Sequence, residues 1–270
     1  MTVNNPLLLT FFLCFFCQFL AWLWQIKVNN ADIVDITWSL LLVISPTIYL
    51  FHANGDNFHF FALLLAPIAW YLRLSLHLIS RYQAQHEDGR YKALRRHWDT
   101  SSKYKLQAKF LLLFLAQGLL AWIFSIPAYI VANLQQEFSL YDVAAIMIII
   151  LSFIGVTVSD IQLTHFRKKH KGSVCNIGLW RYSRHPNYFF EWLHWLSYPL
   201  LGLSIQSILT LEWLTLVTIP FLMLLFLLKF TGIPYNEQQN LRSKGNAYKR
   251  YQQETNTFFP GRRKTIEDLS

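Results

Sequence analysis

Residues 160–192 read DIQLTHFRKKHKGSVCNIGLWRYSRHPNYFFEW, and long apolar runs lie on both sides of this stretch. Charged and polar side chains placed this densely beside membrane-type segments are costly, and such residues are usually functional. We therefore interpret the stretch as the site around which the chain folds, and we work outward from it.

The composition is that of an integral membrane protein, with 54% of the 270 residues hydrophobic and only 14% charged. Apolar runs near the bilayer-spanning length of about 20 residues recur along the chain. They cover residues 6–26, 33–51, 59–79, 110–131, 140–163, 188–205 and 209–230. We predict an all-α bundle of about seven transmembrane helices that forms a single membrane domain over residues 1–270. Residues 160–260 are expected to form a cofactor-binding half that faces the cytoplasm.

Lys and Arg are concentrated in alternate connections, which predicts the orientation of the chain. Residues 81–105, 167–184 and 242–264 are rich in them, whereas the connections near residues 54–57, 133–137 and 204–207 have none. Because short cytoplasmic loops carry an excess of Lys and Arg, we predict an outside N-terminus and a cytoplasmic C-terminus. The net charge of +9 is then a topology signal, and we expect no nucleic-acid partner.

Two further features argue against a secreted or metal-binding protein. Cys14, Cys17 and Cys175 have the spacing of neither a disulfide framework nor a metal site, so we predict no metal. The first apolar run has no basic n-region and no small-residue cleavage site, which predicts a retained helix. We expect a monomer in a bacterial inner membrane.

Polar side chains inside the second and third apolar runs are candidates for catalysis. Asp35 lies three residues after Asp32 and thus on the same helical face. It could act in catalysis or pair with an arginine, for which Arg73 is the best candidate. An arginine this deep in an apolar segment must face protein or a watery cavity. The third run places these residues on one face: Trp70, Arg73, His77 and Arg81.

The end of the fifth run has one face suited to a nucleotide. Asp160, Thr164, Arg167 and Lys171 recur at spacings of four, three and four. A carboxylate can accept hydrogen bonds from ribose hydroxyls or an amide, and an arginine can grip phosphate oxygens in a fork. The alternative is a local ion pair between Asp160 and Arg167.

The sixth run begins with a predicted anion site. Pro186 suits the first turn of a helix, where no amide hydrogen is needed. Arg184 and His185 therefore lie beside a helix N-terminus, whose free backbone amides favour anions. Further along the same predicted helix, one face carries Asn187, Glu191, His194 and Trp195.

After the seventh run, Gly232 and Pro234 are expected to stop the helix. The tail that follows contains the aromatic residues Tyr248, Tyr251 and Phe258. It could fold back as a lid over the cytoplasmic mouth, whereas the residues beyond Pro260 could instead lie solvated among lipid headgroups.

Together these residues resemble the steroid 5-alpha-reductase family, most closely its bacterial, uncharacterised DUF1295-like branch. The likeness covers most of the chain and is strongest from residue 159 to residue 260. The residues that carry it are Ser159, Asp160 and Arg167, then Gly178 to Tyr182, then Asn187, Glu191 and Trp192.

The resemblance implies a seven-helix membrane enzyme that takes NADPH from the cytoplasm. It further implies reduction of a carbon-carbon double bond conjugated to a carbonyl, in a steroid-like or isoprenoid lipid that arrives from the bilayer. With the anion site included, the expected cofactor contacts are Asp160, Arg167, Tyr182, Arg184, His185, Asn187, Tyr188, Glu191, Tyr235 and Glu237.

The sequence departs from the steroid enzymes of that family at the expected proton donor. Those enzymes place a glutamate on the second span and a tyrosine on the third, where they polarise the steroid carbonyl. When Arg73 is aligned with the family arginine, Trp70 takes the position of that tyrosine, and an indole cannot donate a phenolic proton. Asp35, His77 or Tyr71 would then supply the acid, in that order of preference.

The motif from Arg184 to Tyr188 is also similar to one in membrane isoprenylcysteine and phospholipid methyltransferases, which bind S-adenosylmethionine. Those enzymes usually pair it with two adjacent glutamates after the last helix, whereas here Glu237 is followed by Gln238. A methyltransferase is therefore the second hypothesis. A non-catalytic lipid-binding or scaffold protein is the third.

Overall fold

A computed structural model describes residues 5–53, 57–98, 102–135, 137–203, 210–230 and 232–264. These residues form helices and connecting loops, and the described ranges contain no strand. The chain divides into two compact units, Met1–Phe138 and Ser139–Ser270.

The described part of the first unit is built from four long helical segments and a shorter connecting helix. Pro67 lies within a π-helical turn, Leu64–Ala69, where the missing amide hydrogen of a proline interrupts the regular hydrogen-bond ladder. The helices of this unit are α1 (Pro6–Val28), α2 (Ile33–Phe51), α3 (Asn57–Leu63), α4 (Trp70–Arg81), α5 (Gly89–His97) and α6 (Lys103–Ala132).

The buried face of α1 is polar for a membrane helix, and it packs against α2 and α6. Thr10 Oγ1 and Ser125 Oγ lie 2.7 and 2.8 Å from the hydroxyl oxygen of Tyr49. Cys14 is fully buried in the same face, which makes it a packing residue. Hydrogen bonds between helices satisfy polar groups that no water can reach in a bilayer, so this seam fixes how the three helices pack.

The second unit begins with a long helix whose start is closed by a capping box between Ser139 and Asp142. A short 3₁₀ turn, Gly178–Arg181, precedes the next helix, and a π-helical turn, Phe226–Phe230, follows a later one. The helices of this unit are α7 (Leu140–Lys169), α8 (Pro186–Trp195), α9 (Ser197–Leu201), α10 (Leu211–Leu225), α11 (Gly232–Lys244) and α12 (Asn246–Glu254).

Six helical segments within the described residues are long and apolar enough to cross a membrane, which indicates an integral membrane protein. The expected sixth run, residues 188–205, is not one of them. It forms the two short helices α8 and α9, and residues 204–209 lie outside the described part of the chain. The six segments are Pro6–Val28, Ile33–Phe51, Phe61–Arg81, Lys103–Ala132, Leu140–Lys169 and Leu211–Lys244.

Candidate functional site

Arg184 is the centre of the most connected polar cluster in the second unit. Its side chain is only 8% exposed. Nε and Nη2 donate to the two carboxylate oxygens of Glu237, each at 3.0 Å. Nη1 donates to the carbonyl oxygens of Gln252 and Thr255 at 2.9 and 2.6 Å, and Nη2 also donates to Thr257 Oγ1 at 2.8 Å. A guanidinium has five N–H donors, and this cluster uses all of them.

The Glu237 carboxylate also accepts hydrogen bonds from residues other than Arg184. Besides Arg184, His185 Nε2 lies 2.7 Å from Oε1, and the hydroxyl of Tyr248 donates to the same oxygen at 2.8 Å. The Gln252 amide donates to Oε2. A carboxylate offers about four lone-pair sites, so Glu237 has no acceptor capacity left. We call the cluster of Arg184, His185, Glu237, Tyr248 and Gln252 the Arg184 clasp.

The clasp holds the tail against the segment before α8. The backbone N–H groups of Arg184 and Gly261 donate to the carbonyl oxygens of Asn256 and Tyr182 at 2.9 and 3.1 Å. Ser183 Oγ donates to the carbonyl oxygen of Phe258 at 2.8 Å. The tail therefore folds back over residues 182–184.

Two tail tyrosines act as hydrogen-bond donors in this arrangement. Tyr251 donates to the carbonyl oxygen of Trp180, while Tyr248 donates to Glu237. Burial raises the pKa of both phenols above the usual range of tyrosine. Both therefore stay protonated across the physiological range and keep their roles as donors.

The remaining expected cofactor residues lie outside the clasp. Asn187 Nδ2 lies 3.4 Å from Asp160 Oδ1, and both side chains are half-buried. Glu191 is half-buried one turn further along α8, and Arg167 is exposed two turns after Asp160 along α7. Tyr182 is exposed, and Tyr235 is half-buried near the start of α11. We call these six residues the open set.

Tyr188 belongs with the clasp. Its ring stacks on that of His185, with centroids 5.6 Å apart and planes at 9°. Its hydroxyl accepts a hydrogen bond from Asn236 Nδ2 at 2.6 Å. The ten expected cofactor residues thus divide into four that belong to or pack against the clasp and six in the open set.

The sequence analysis missed several residues that position these groups. Gln162 Oε1 accepts a hydrogen bond from the backbone N–H of Leu179 at 2.9 Å, and Trp180 Nε1 donates to the carbonyl oxygen of Ser159 at 2.9 Å. These bonds fix the loop before α8 on α7. A polar side chain in the last turn of an apolar run, such as Gln162 in residues 140–163, was the available signal. Tyr248 and Gln252, four residues apart on α12, were the comparable signal for the clasp.

In the first unit, the structure corrects the expected partner of Asp35. Its carboxylate accepts hydrogen bonds from Arg90 Nη2 at 2.9 Å and from the hydroxyl of Tyr91 at 2.8 Å, rather than pairing with Arg73. The Arg73 guanidinium lies over the ring of Trp70, 5.5 Å from its centroid. The correction arises because α5 brings a cation and a phenol to the start of α2.

Tyr71 and His77 lie on the same helix in different environments. Tyr71 is 1% exposed, and its ring meets the edge of Trp38 with centroids 5.9 Å apart. Ser75, one turn further, donates to the carbonyl oxygen of Tyr71 at 2.7 Å. His77 is exposed. Of the three expected acid candidates, Tyr71 is the buried one.

The loop before α5 folds against the start of α2. Both carboxylate oxygens of Asp32 accept the backbone N–H of Asp88, at 2.9 and 3.0 Å. Glu87 accepts from the backbone N–H of Ala31 at 2.9 Å and pairs with Arg95 at 2.7 Å. The acids of this region are thus used to join the loop to α2.

Asp32 gives the first unit a pH-dependent stability. Burial is the main cause that raises the pKa of Asp32 from 3.8 to about 6, and the carboxylates of Asp88, Asp35 and Glu87 add to it. Between these values the folded chain keeps a proton that the unfolded chain releases, so the contribution to stability falls as pH rises. The side chain of Asp32→Asn does not titrate. We therefore expect its thermal midpoint, relative to that of the wild type, to increase as the pH is raised from about 4 to about 7. A difference that stays constant across thermal melts in this range would contradict the assignment.

Comparisons with known proteins give one family and one curated relative. The model of a family described as "Protein of unknown function (DUF1295)" matches residues 21–255. An uncharacterized protein of Schizosaccharomyces pombe is 24% identical over 291 residues, which cover 95% of this chain and 80% of the yeast protein. No solved structure matches the chain.

Proposed function

This chain belongs to the DUF1295 family, as its sequence predicted, and from that premise we propose that it is a membrane oxidoreductase that uses NADPH. The proposed reaction reduces a carbon-carbon double bond conjugated to a carbonyl, in a steroid-like or isoprenoid lipid. The link to steroid 5-alpha-reductases is part of this proposal. The observation that supports it best is the contact between α7 and α8 within the open set, where Asn187 Nδ2 lies 3.4 Å from Asp160 Oδ1 beside the clasp.

The open set has the donors and acceptors that a dinucleotide needs. Arg167 is an exposed cation that can form forked hydrogen bonds with phosphate oxygens. Asp160 and Glu191 can accept from ribose hydroxyls or a carboxamide, and Asn187 and Tyr182 can both donate and accept. NADPH, when bound, supplies the hydride, and the protein supplies binding and orientation.

The clasp weakens the methyltransferase alternative. In that hypothesis, Glu237 would take part in binding S-adenosylmethionine. Every acceptor site of Glu237 is used by Arg184, His185, Tyr248 and Gln252. We therefore assign Arg184, His185 and Glu237 to holding the tail in place, and leave the cofactor contacts to the open set.

Tyr71 is the residue we propose as the proton donor. The double bond takes up one hydride and one proton, and the carbonyl oxygen needs a donor while negative charge develops on it. Asp35 uses its two oxygens to accept from Arg90 and Tyr91, and His77 is exposed. Tyr71 has a phenolic hydroxyl, is 1% exposed and packs against the ring of Trp38.

We also propose that α8 and α9 belong to a seventh crossing. Asn256 bonds to Arg184, so the tail and the start of α8 lie on the same side of the membrane. α10 supplies one crossing between them, so a second is required. Seven crossings fit the outside N-terminus and cytoplasmic C-terminus that the Lys and Arg distribution favours. A monomer in a bacterial inner membrane remains part of the proposal.

The test is ligand-dependent thermal stability of the purified chain in detergent. NADPH should raise the thermal midpoint by mass action, and S-adenosylmethionine should not. Asp160→Ala should weaken NADPH binding by about 10-fold to about 150-fold, the equivalent of one hydrogen bond to a charged group. Glu212→Ala, which removes an exposed carboxylate from α10, is the matched control and should bind as the wild type does.

Three outcomes would count against the proposal. A shift with S-adenosylmethionine alone would favour the methyltransferase. No shift with either ligand would favour a lipid-binding or scaffold protein. Undiminished NADPH binding by Asp160→Ala would remove the open set as the cofactor site.

A further inference from the structure

An open cavity of about 410 Å³ lies at the polar end of the first unit, and no part of the proposed reaction uses it. The end of α1 lines it with Val28 and Asn29. The loop before α5 and α5 itself line it with Glu87 and with the cations Lys92, Arg95 and Arg96. The cavity is therefore basic on one wall and formed by the end of an apolar helix on the other.

The only carboxylate among the described lining residues is already compensated. Glu87 pairs with Arg95 at 2.7 Å and accepts from the backbone N–H of Ala31 at 2.9 Å. Lys92 and Arg96 are exposed, and neither forms an ion pair with any residue that the structure describes. The cavity therefore presents two cationic side chains that an anion could bind.

The residues beside the cavity are those of a membrane interface. Trp24, one turn before Val28, is exposed and donates through Nε1 to the hydroxyl of Tyr82 at 3.3 Å. Lys27 Nζ lies 5.7 Å from the centroid of the Trp24 ring. Trp and Tyr are enriched at the headgroup level of bilayers, and Lys side chains near helix ends extend toward it. The neighbouring aromatic and basic groups thus place the cavity at the depth of lipid headgroups.

We propose that this cavity binds the phosphate of an anionic phospholipid headgroup. Basic pockets between transmembrane helices are suited to phosphate-bearing headgroups, and arginine can bond phosphate oxygens in a fork. Lys92 and Arg96 bind the phosphate, while the exposed apolar end of α1 lies along the acyl chains. The inference does not rest on the proposed reductase activity.

The test measures binding of phosphatidylglycerol to the purified full-length chain by native mass spectrometry. Phosphatidylcholine, which has a phosphate but no net charge, should bind more weakly. The double variant Lys92→Gln with Arg96→Gln should weaken phosphatidylglycerol binding about 30-fold, the effect expected of two cations near a membrane surface. Thermal midpoints measured without lipid should be unchanged, because both side chains are exposed.

The matched control is Lys103→Gln with Lys105→Gln, which removes two exposed cations from the start of α6 outside the cavity. It should leave phosphatidylglycerol binding near the wild-type value. An equal loss in both double variants would mean that only general surface charge attracts the lipid, and would overturn the site. Displacement of phosphatidylglycerol by inorganic phosphate or by NADPH would assign the cavity to a soluble anion instead.

Discussion

Glu237→Gln should lower the free energy of unfolding by about 3–5 kcal/mol, the usual cost of removing one partner from a buried ion pair. The cause is Arg184, which is 8% exposed and would keep its charge without a carboxylate beside it. The new NH2 group would also point a donor at the donor of either Gln252 or Tyr248, which bond to different oxygens of Glu237. Denaturant unfolding in detergent, followed by circular dichroism, measures the difference.

A second variant separates charge from geometry in the same cluster. Arg184→Lys keeps the positive charge but offers one ammonium group where the clasp needs donors to Glu237, Gln252, Thr255 and Thr257. It should therefore destabilise the chain nearly as much as Glu237→Gln. Full stability of the lysine variant would show that charge alone holds the tail.

Arg250→Gln is the control for these two variants. Arg250 pairs with Glu254 on the surface of α12, and its side chain is largely exposed. Exposed ion pairs contribute little because water and salt screen them. The stability of this variant should stay close to that of the wild type, even though it also loses an ion pair.

Tyr71→Phe should reduce kcat by about 100-fold to about 1000-fold, the usual loss when one donor to a developing oxyanion is removed. Phenylalanine keeps the ring that packs against Trp38, so the fold and the binding of NADPH should be retained. The assay follows NADPH oxidation with a 3-oxo-4-ene steroid as the probe substrate. The NADPH-dependent thermal shift, measured on the same sample, shows whether the cofactor still binds.

The competing acid candidates provide the comparison for Tyr71. Asp35→Asn and His77→Gln should each change kcat by less than about tenfold, since neither side chain is the donor in our proposal. If Asp35→Asn lost turnover and Tyr71→Phe remained active, Asp35 would be the proton donor instead of Tyr71. In that case the bonds from Arg90 and Tyr91 would have to break during catalysis.

Most of the long helices could be predicted because hydropathy is a local property. Each spanning segment must be apolar over the thickness of the bilayer, whichever residues pack beside it. The ends were less predictable: α6 begins at Lys103 rather than residue 110, and α7 continues to Lys169 rather than residue 163. A helix extends past its apolar run when its first or last turns are polar, and hydropathy does not detect those turns.

The sixth run shows the limit of that approach. Its start at Pro186 was predicted correctly from the preference of proline for the first turn. The expectation of one continuous helix was wrong, because α8 ends at Trp195 and α9 covers only Ser197–Leu201. Hydropathy measures how apolar a segment is, but it carries no information on the hydrogen bonds that end a helix.

The sequence by itself determined the class of protein, the positions of most spans and the candidate site residues. The tertiary structure decided which of those residues bond to one another. Arg184 and Glu237 are 53 residues apart, and Asp35 and Arg90 are 55 apart, so no local pattern could pair them. A side chain has a fixed number of donors and acceptors, and packing decides which distant groups use them. Packing thus joins Arg184 to Glu237 and Asn187 to Asp160, pairs that hydropathy could not have matched.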